Sequence, residues 1–219
     1  MKVALLDFGV GNLHSLGKAL QVGGAEVTVY TDASAALRES ALVLPGVGAF
    51  GAAAERLGES AREIRERLIG GHPCLGICLG MQLLYESSEE APGAGIALLP
   101  GRVRHLRARR TPQMGWNSIE RDAVPGEGDA VSSEGLPAPS AEDPLLAGVE
   151  SPVVYYANRY VVPEPAGGRV IARTEYEGDR FPAVVRVANT WGTQFHPEKS
   201  AEAGLCMLRN FLDAVRELR

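Results

Sequence analysis

Cysteine is scarce in this 219-residue sequence: there are three, Cys74, Cys78 and Cys206. They are odd in number and show no CxxC or zinc-ligand spacing, so free thiols in a reducing compartment fit better than a disulfide framework. Long apolar runs are lacking as well. At the N-terminus Asp7 interrupts the hydrophobic stretch after a few residues, too early for a signal h-region or a membrane span, so the expected location is the cytoplasm. A basic excess is also missing. With 22 Lys and Arg against 27 Asp and Glu the net charge is −5, and the one basic cluster, Arg102 to Arg110, is short, so nucleic acid is not an expected partner. Internal repeats are absent. What remains is the composition of an ordinary globular chain, 45% hydrophobic and 22% charged, of a length that one domain spanning 1–219 accommodates.

The first half alternates strand and helix signals. Lys2 to Phe8 is a β-branched and aliphatic run that ends in Gly9-Val10-Gly11. Leu13, Leu16 and Leu20 then repeat at a helical period, and Ala25 to Tyr30 alternates as a strand. Ala41 to Leu44 is a short apolar strand meeting Pro45-Gly46-Val47-Gly48, and Ala52 to Leu68 predicts one or two helices outside the sheet. Cys74 to Ile77 predicts another strand, followed at once by a helix from Leu79 to about Glu86. The expected architecture is α/β, with a mostly parallel central sheet covered by helices on both faces.

The second half lacks long helices between its strand-like runs, Val103 to Leu106, Val153 to Val162, Arg169 to Tyr176 and Ala183 to Val187. Antiparallel hairpins extending the sheet are therefore expected. A final helix carries Leu205, Leu208, Phe211, Leu212 and Val215 on one stripe behind Ser200, its expected N-cap. Between Arg121 and Pro144, Gly, Pro, Ser, Ala and acids predominate, and little there is suited to burial. This segment is expected to be a flexible surface excursion without a catalytic role.

Chemistry concentrates in Gly76-Ile77-Cys78-Leu79-Gly80. A nucleophile flanked by glycines at a strand-to-helix turn has the form of a nucleophile elbow, where the helix N-terminus favours a thiolate. A small core thiol in a glycine-bearing turn would look the same. What separates the two is Gln194-Phe195-His196-Pro197-Glu198, because a cysteine nucleophile needs a base distant in sequence and near in space. In an extended segment His196 and Glu198 face the same way, so the carboxylate can orient the imidazole. Pro45-Gly46-Val47-Gly48 adds a glycine-flanked turn after a strand, where backbone N–H groups can form an oxyanion hole with the N–H of Leu79.

Taken together, Gly76-Ile77-Cys78-Leu79-Gly80-Met81-Gln82 and Phe195-His196-Pro197-Glu198 closely resemble the class I glutamine amidotransferases. Asp7-Phe8-Gly9-Val10-Gly11-Asn12-Leu13, Pro45 to Phe50, Met114-Gly115-Trp116-Asn117 and His196 to Ser200 are similar to the glutaminase subunits of imidazole glycerol phosphate synthases, from histidine biosynthesis. The resemblance implies a flavodoxin-like sheet with a Cys78, His196, Glu198 triad and an oxyanion hole from the N–H groups of Val47 and Leu79. It implies substrate contacts from Gly46, Gly48, Gln82 and Glu90 to L-glutamine, a thioester intermediate, and neither metal nor cofactor. It further implies a (β/α)₈ cyclase partner that receives the ammonia and forms imidazole glycerol phosphate and AICAR, with Asn12, Trp116 and Lys199 at the interface. Two departures stand out. Tyr155-Tyr156-Ala157-Asn158-Arg159-Tyr160 replaces the usual Tyr-Phe-Val-His-Ser-Tyr, and Gln113 stands where a His is usual.

Three rivals remain to be weighed. A dinucleotide-binding turn at Gly9-Val10-Gly11, with Asp32 near the end of the second strand, fails because His14 occupies the third glycine position. A glutaminase for a chorismate-using synthase shares the elbow and the His-Pro-Glu but not Met114 to Asn117 or Lys199. A scaffold that has lost catalysis would have no reason to keep the triad.

Overall fold

The computed structural model describes residues 1–9, 13–122, 143–150 and 152–218. Its first half follows the alternating pattern of the sequence: β1 (Lys2–Leu6), α1 (His14–Val22), β2 (Glu26–Tyr30), α2 (Ala33–Ala36), β3 (Ala41–Leu44), α3 (Phe50–Leu57), α4 (Ser60–Ile69) and β4 (Cys74–Ile77). A single helical turn, α5 (Leu79–Gln82), leads into β5 (Tyr85–Ser88), β6 (Leu99–His105), β7 (Gln113–Ser118) and β8 (Glu120–Arg121). The remainder is β9 (Val153–Asn158), β10 (Tyr160–Val161), β11 (Arg169–Tyr176), β12 (Asp179–Val187), β13 (Thr190–Thr193) and α6 (Ala201–Glu217).

Eight strands form the main sheet in the order β2-β1-β3-β4-β13-β12-β11-β8. From β2 through β13 every pairing is parallel, and from β13 to β8 every pairing is antiparallel. The period-2 alternation of strand side chains divides the core between the two faces. Val3, Leu5, Val43 and Ile77 point to one side and pack with Leu16 and Leu20 of α1 and Leu208, Phe211 and Leu212 of α6. Ala4, Leu6, Leu42 and Leu44 point to the other, under Phe50 and Leu57 of α3 and Ile64 and Leu68 of α4. No helix among the described residues is long and apolar enough to cross a membrane.

Three expectations are corrected. The helix after Cys78 stops at Gln82 rather than near Glu86, because the backbone from Tyr85 pairs with β6 in a small sheet, where Tyr85 lies opposite Leu99. The Val103 and Val153 runs do not extend the main sheet. β6 lies between β10 and β5 in a three-stranded sheet, and β9 pairs with β7 in a two-stranded one. Ser200 stands at the N-cap of α6, but its side chain makes no capping bond there.

The excursion expected at 121–144 lies for the most part, at 123–142, outside the described residues. Both of its ends are structural. Arg121 lies in β8 opposite Ala172, and Asp143 is buried at 6% exposure. Its carboxylate accepts from the indole N–H of Trp191 at 3.0 Å and from Arg169 and Arg186 at 2.9 Å each. A buried carboxylate is tolerated here because cations and donors surround it.

Candidate active site

Cys78 sits where the parallel strands β3, β4 and β13 deliver their carboxyl ends, the usual location for ligand chemistry in an open α/β sheet. Its backbone has φ +45° and ψ −98°, a conformation that a residue with a side chain adopts only when its surroundings impose it. Those surroundings are specific. The Cys78 N–H donates to the Thr193 carbonyl at 2.6 Å, and the Cys78 carbonyl accepts from the Gln82 N–H at 3.0 Å. The glycines are required by packing: a Cβ on Gly80 would lie 2.1 Å from the Leu44 carbonyl oxygen. Helix α5 is one turn long, so the helix dipole at Cys78 is smaller than a longer helix would supply.

His196 lies just beyond the end of β13, the strand paired with β4, with its side chain 2% exposed. It comes off extended backbone, but Pro197–Lys199 closes at once into a 3-10 turn. The expected strand alternation therefore does not bring Glu198 to His196; the turn does. His196 Nδ1 and Glu198 Oε1 are 2.8 Å apart, the ring donating when its proton is on Nδ1. Burial pulls the imidazole down, but the contacts with Cys78 and with the Glu198 carboxylate outweigh it and push His196 up to about 10.

The backbone of His196 is held from both directions by β9. Its N–H donates to the Tyr155 carbonyl at 2.9 Å, while the Ser200 hydroxyl donates to the His196 carbonyl at 2.7 Å and accepts from the Tyr155 N–H at 2.9 Å. That is what the Ser200 hydroxyl does instead of capping α6. The other buried thiol differs in kind, since burial alone drives the Cys74 thiol strongly upward, as expected of a packing residue.

A cleft of about 410 Å³ opens above Cys78, with room for an amino acid. Gly46, Val47, Gly48, Cys78, Leu79 and His196 line it. Gln82 and Glu90 also line it, but each carries a structural bond as well. Gln82 Nε2 donates to the Tyr160 carbonyl at 3.1 Å, and Glu90 accepts from the Phe50 N–H at 3.0 Å, capping α3. Gly46 approaches closely because a Cβ there would stand 2.9 Å from the Ile77 carbonyl oxygen and 3.0 Å from His196 Cε1.

Of the residues expected at a partner interface, Lys199 lies on the rim of this cleft, whereas Trp116 lies apart on β7. The ring of Tyr155 links them, edge-on to Trp116 at 5.9 Å and below the Lys199 ammonium at 5.8 Å. Asn12 is outside the described residues. Among those described, no group of three or more His, Cys, Asp or Glu side chains is placed to hold a metal ion. Sequence reasoning missed Gln194, Ser200 and Tyr155. The first two stand inside or beside the Gln-Phe-His-Pro-Glu segment and were readable from it, whereas Tyr155 acts through its backbone and leaves no side-chain signature.

Known proteins are similar to this chain. A family model described as glutamine amidotransferase class-I matches residues 4–215. The imidazole glycerol phosphate synthase subunit HisH of Thermus thermophilus is 41% identical over 215 residues, covering 95% of this chain and 95% of the relative. The subunit of the same name from Halobacterium salinarum is 39% identical over 220 residues, covering 96% and 92%. Among solved structures, a glutamine amidotransferase matches with a TM-score of 0.72 at 19% identity, covering 98% of this chain and 99% of that one. PurLQS from Thermotoga maritima matches with a TM-score of 0.66 at 18% identity, covering 97% and 98%. At such identities the two structures speak for the fold alone.

Proposed function

Because the chain belongs to the class-I glutamine amidotransferases, and among them to the HisH subunits of imidazole glycerol phosphate synthase, we propose that Cys78, His196 and Glu198 hydrolyse L-glutamine to glutamate and ammonia. The single observation that carries this reading is a strained cysteine at φ +45° sharing one cleft with an imidazole that a carboxylate holds at 2.8 Å. Chemistry of this kind needs a nucleophile, a proton carrier and an orienting anion, and all three are present.

The steps follow from the residues. Cys78 gives its proton to His196, and the thiolate adds to the carboxamide carbon of glutamine. The resulting oxyanion lies against the N–H groups of Val47 and Leu79. His196 returns the proton to the nitrogen, the C–N bond breaks, and ammonia leaves a glutamyl thioester. Water then loses a proton to His196 and adds to the thioester carbon. The C–S bond breaks and glutamate departs. Glu198 keeps the imidazole oriented in both halves. Gly46, Gly48, Gln82 and Glu90 surround the substrate, within a single domain of the cytoplasm.

The ammonia serves histidine biosynthesis. Its recipient in this proposal is a (β/α)₈ cyclase subunit that forms imidazole glycerol phosphate and AICAR, docked over Trp116 and Lys199 with Asn12 nearby. A sealed interface suits the chemistry, since ammonia released into water is protonated and ceases to be a nucleophile. The test is glutamate release from L-glutamine by the chain alone, with the cyclase, and as Cys78→Ala. Weak activity alone, strong stimulation by the cyclase with its nucleotide ligand, and none in the variant are expected. A complex that hydrolyses no glutamine overturns the reading.

A further inference from the structure

Gln194 is fully buried, yet its side chain is poorly satisfied. The amide Nε2 lies 3.6 Å from the Cys78 sulfur, while Oε1 has no partner among the described residues. An apolar side chain of similar length would avoid that unpaired oxygen altogether. The position is set by the strand. The Gln194 N–H donates to the Ala183 carbonyl at 2.9 Å, and in the segment after β13 residues 194 and 196 face the same side while Phe195 faces the other, against Tyr156. The same two-residue alternation therefore turns both Gln194 and His196 toward Cys78.

We propose, building on the hydrolysis described above, that Gln194 is a catalytic residue whose amide N–H donates to the Cys78 sulfur and stabilises it as thiolate. The donor matters twice. Before attack it offsets the desolvation of a negative sulfur in a buried site, which the single turn of α5 does little to relieve. During thioester hydrolysis the C–S bond breaks with its electron pair remaining on sulfur, and the departing thiolate again meets the N–H of Gln194. No proton passes through the amide; His196 carries each one. The thioester sulfur between these events is a weak acceptor, so the contact favours the thiolate ends of the cycle over the acylated middle.

The titratable and charged groups facing Cys78 are His196 with Glu198 behind it, and Lys199 from the same turn. Glu90, Arg159 and Tyr160 face it from across the cleft. None of these changes when Gln194 is replaced by an uncharged residue, so a shift in thiolate formation reports the amide itself.

The experiment follows alkylation of Cys78 by iodoacetamide in the full chain as a function of pH, read on the Cys78 peptide so that Cys74 and Cys206 do not contribute. In Gln194→Met the midpoint for alkylation should rise by about one pH unit, the effect of one charge-assisted hydrogen bond. In Gln194→Glu it should rise further, because a carboxylate then faces the thiolate. The melting temperature of Gln194→Met should not fall, since the unpaired oxygen is gone; a purely structural role predicts the reverse. Should Gln194→Met fold poorly, the wild-type chain supplies the answer through the side-chain amide resonance of Gln194, which should move upfield when Cys78 is alkylated. An unmoved alkylation profile in folded Gln194→Met, or an amide resonance indifferent to alkylation, overturns the proposal. Absence of glutamine hydrolysis in the wild-type complex would refute the function above and leave the alkylation result standing by itself.

Discussion

His196 Nδ1 lies 2.8 Å from Glu198 Oε1, and the second oxygen of Glu198 has no partner among the described residues. The carboxylate is thus committed to one task, holding the imidazole and favouring its charged form. His196 is pushed up to about 10 in part by this contact, so the imidazolium that in the proposed mechanism protonates the departing amide nitrogen persists well above its ordinary range. Removing the negative charge removes one of the causes of the upward shift, and the imidazolium is then lost at lower pH. For Glu198→Gln we expect the alkaline limb of the glutaminase profile to move to lower pH and kcat to fall by about 10²- to 10⁴-fold. A pH series of kcat on the stimulated complex measures both, and an unshifted limb would count against the orienting role.

Asp143 should matter for stability and not for chemistry. Its buried carboxylate joins the partly exposed Arg169 and Arg186 and the buried Trp191 indole in one cluster, none of which lines the cleft over Cys78. Asp143→Ala leaves the buried Trp191 indole N–H unpaired, while the partly exposed Arg169 and Arg186 turn to solvent, and should cost roughly 1–3 kcal/mol. Denaturant unfolding gives the loss directly, and kcat at a temperature where the variant stays folded should remain that of the wild type.

These two residues show what the sequence made legible and what it hid. The grouping of Cys78, His196 and Glu198 is legible because each end of it is a local pattern: glycines around a thiol, and a proline between an imidazole and a carboxylate. The strands Ala41–Leu44 and Cys74–Ile77 were readable because both faces of each are buried and the apolar run is continuous. Asp143 was hidden because its partners, Arg169, Arg186 and Trp191, lie far along the chain, and a lone acid amid Gly, Pro and Ser has the look of solvent-exposed loop. The helix after Cys78 was overextended for a related reason: Leu83, Leu84 and Tyr85 are all buried, and an apolar run of that length is compatible with a helix or a strand until its pairing partner is known.

Gly80 tests how tightly the elbow is built. An added methyl would stand 2.1 Å from the Leu44 carbonyl oxygen and 2.6 Å from its carbon, both backbone atoms that cannot rotate away. Gly80→Ala must therefore push α5 off β3 or abandon the turn at Cys78. A loss of about 3 kcal/mol or more is expected from such overpacking, with glutaminase activity abolished even in the fraction that folds. Thermal unfolding together with activity per folded molecule separates the two effects, and a variant with wild-type activity would mean the turn tolerates more movement than its contacts suggest.

Trp116 tests the proposed docking surface. On β7 it is 54% exposed beside Met114 at 67%, with Val153 at 41% on the paired strand β9. Large apolar side chains grouped on one small sheet contribute little to the stability of the chain that bears them, and they are the residues a partner most readily desolvates. The patch is also continuous with the cleft, because Tyr155 touches Trp116 on one side and Lys199 on the other. Trp116→Ala should change the unfolding free energy by no more than about 0.5 kcal/mol. It should weaken association with the cyclase by about 2 kcal/mol or more, roughly 30-fold in Kd. Titration calorimetry with the cyclase reads the second quantity and denaturant unfolding the first. Unchanged affinity would move the interface away from β7, whereas a loss of both stability and affinity would mean that Trp116 belongs to the core of the small sheet rather than to its surface.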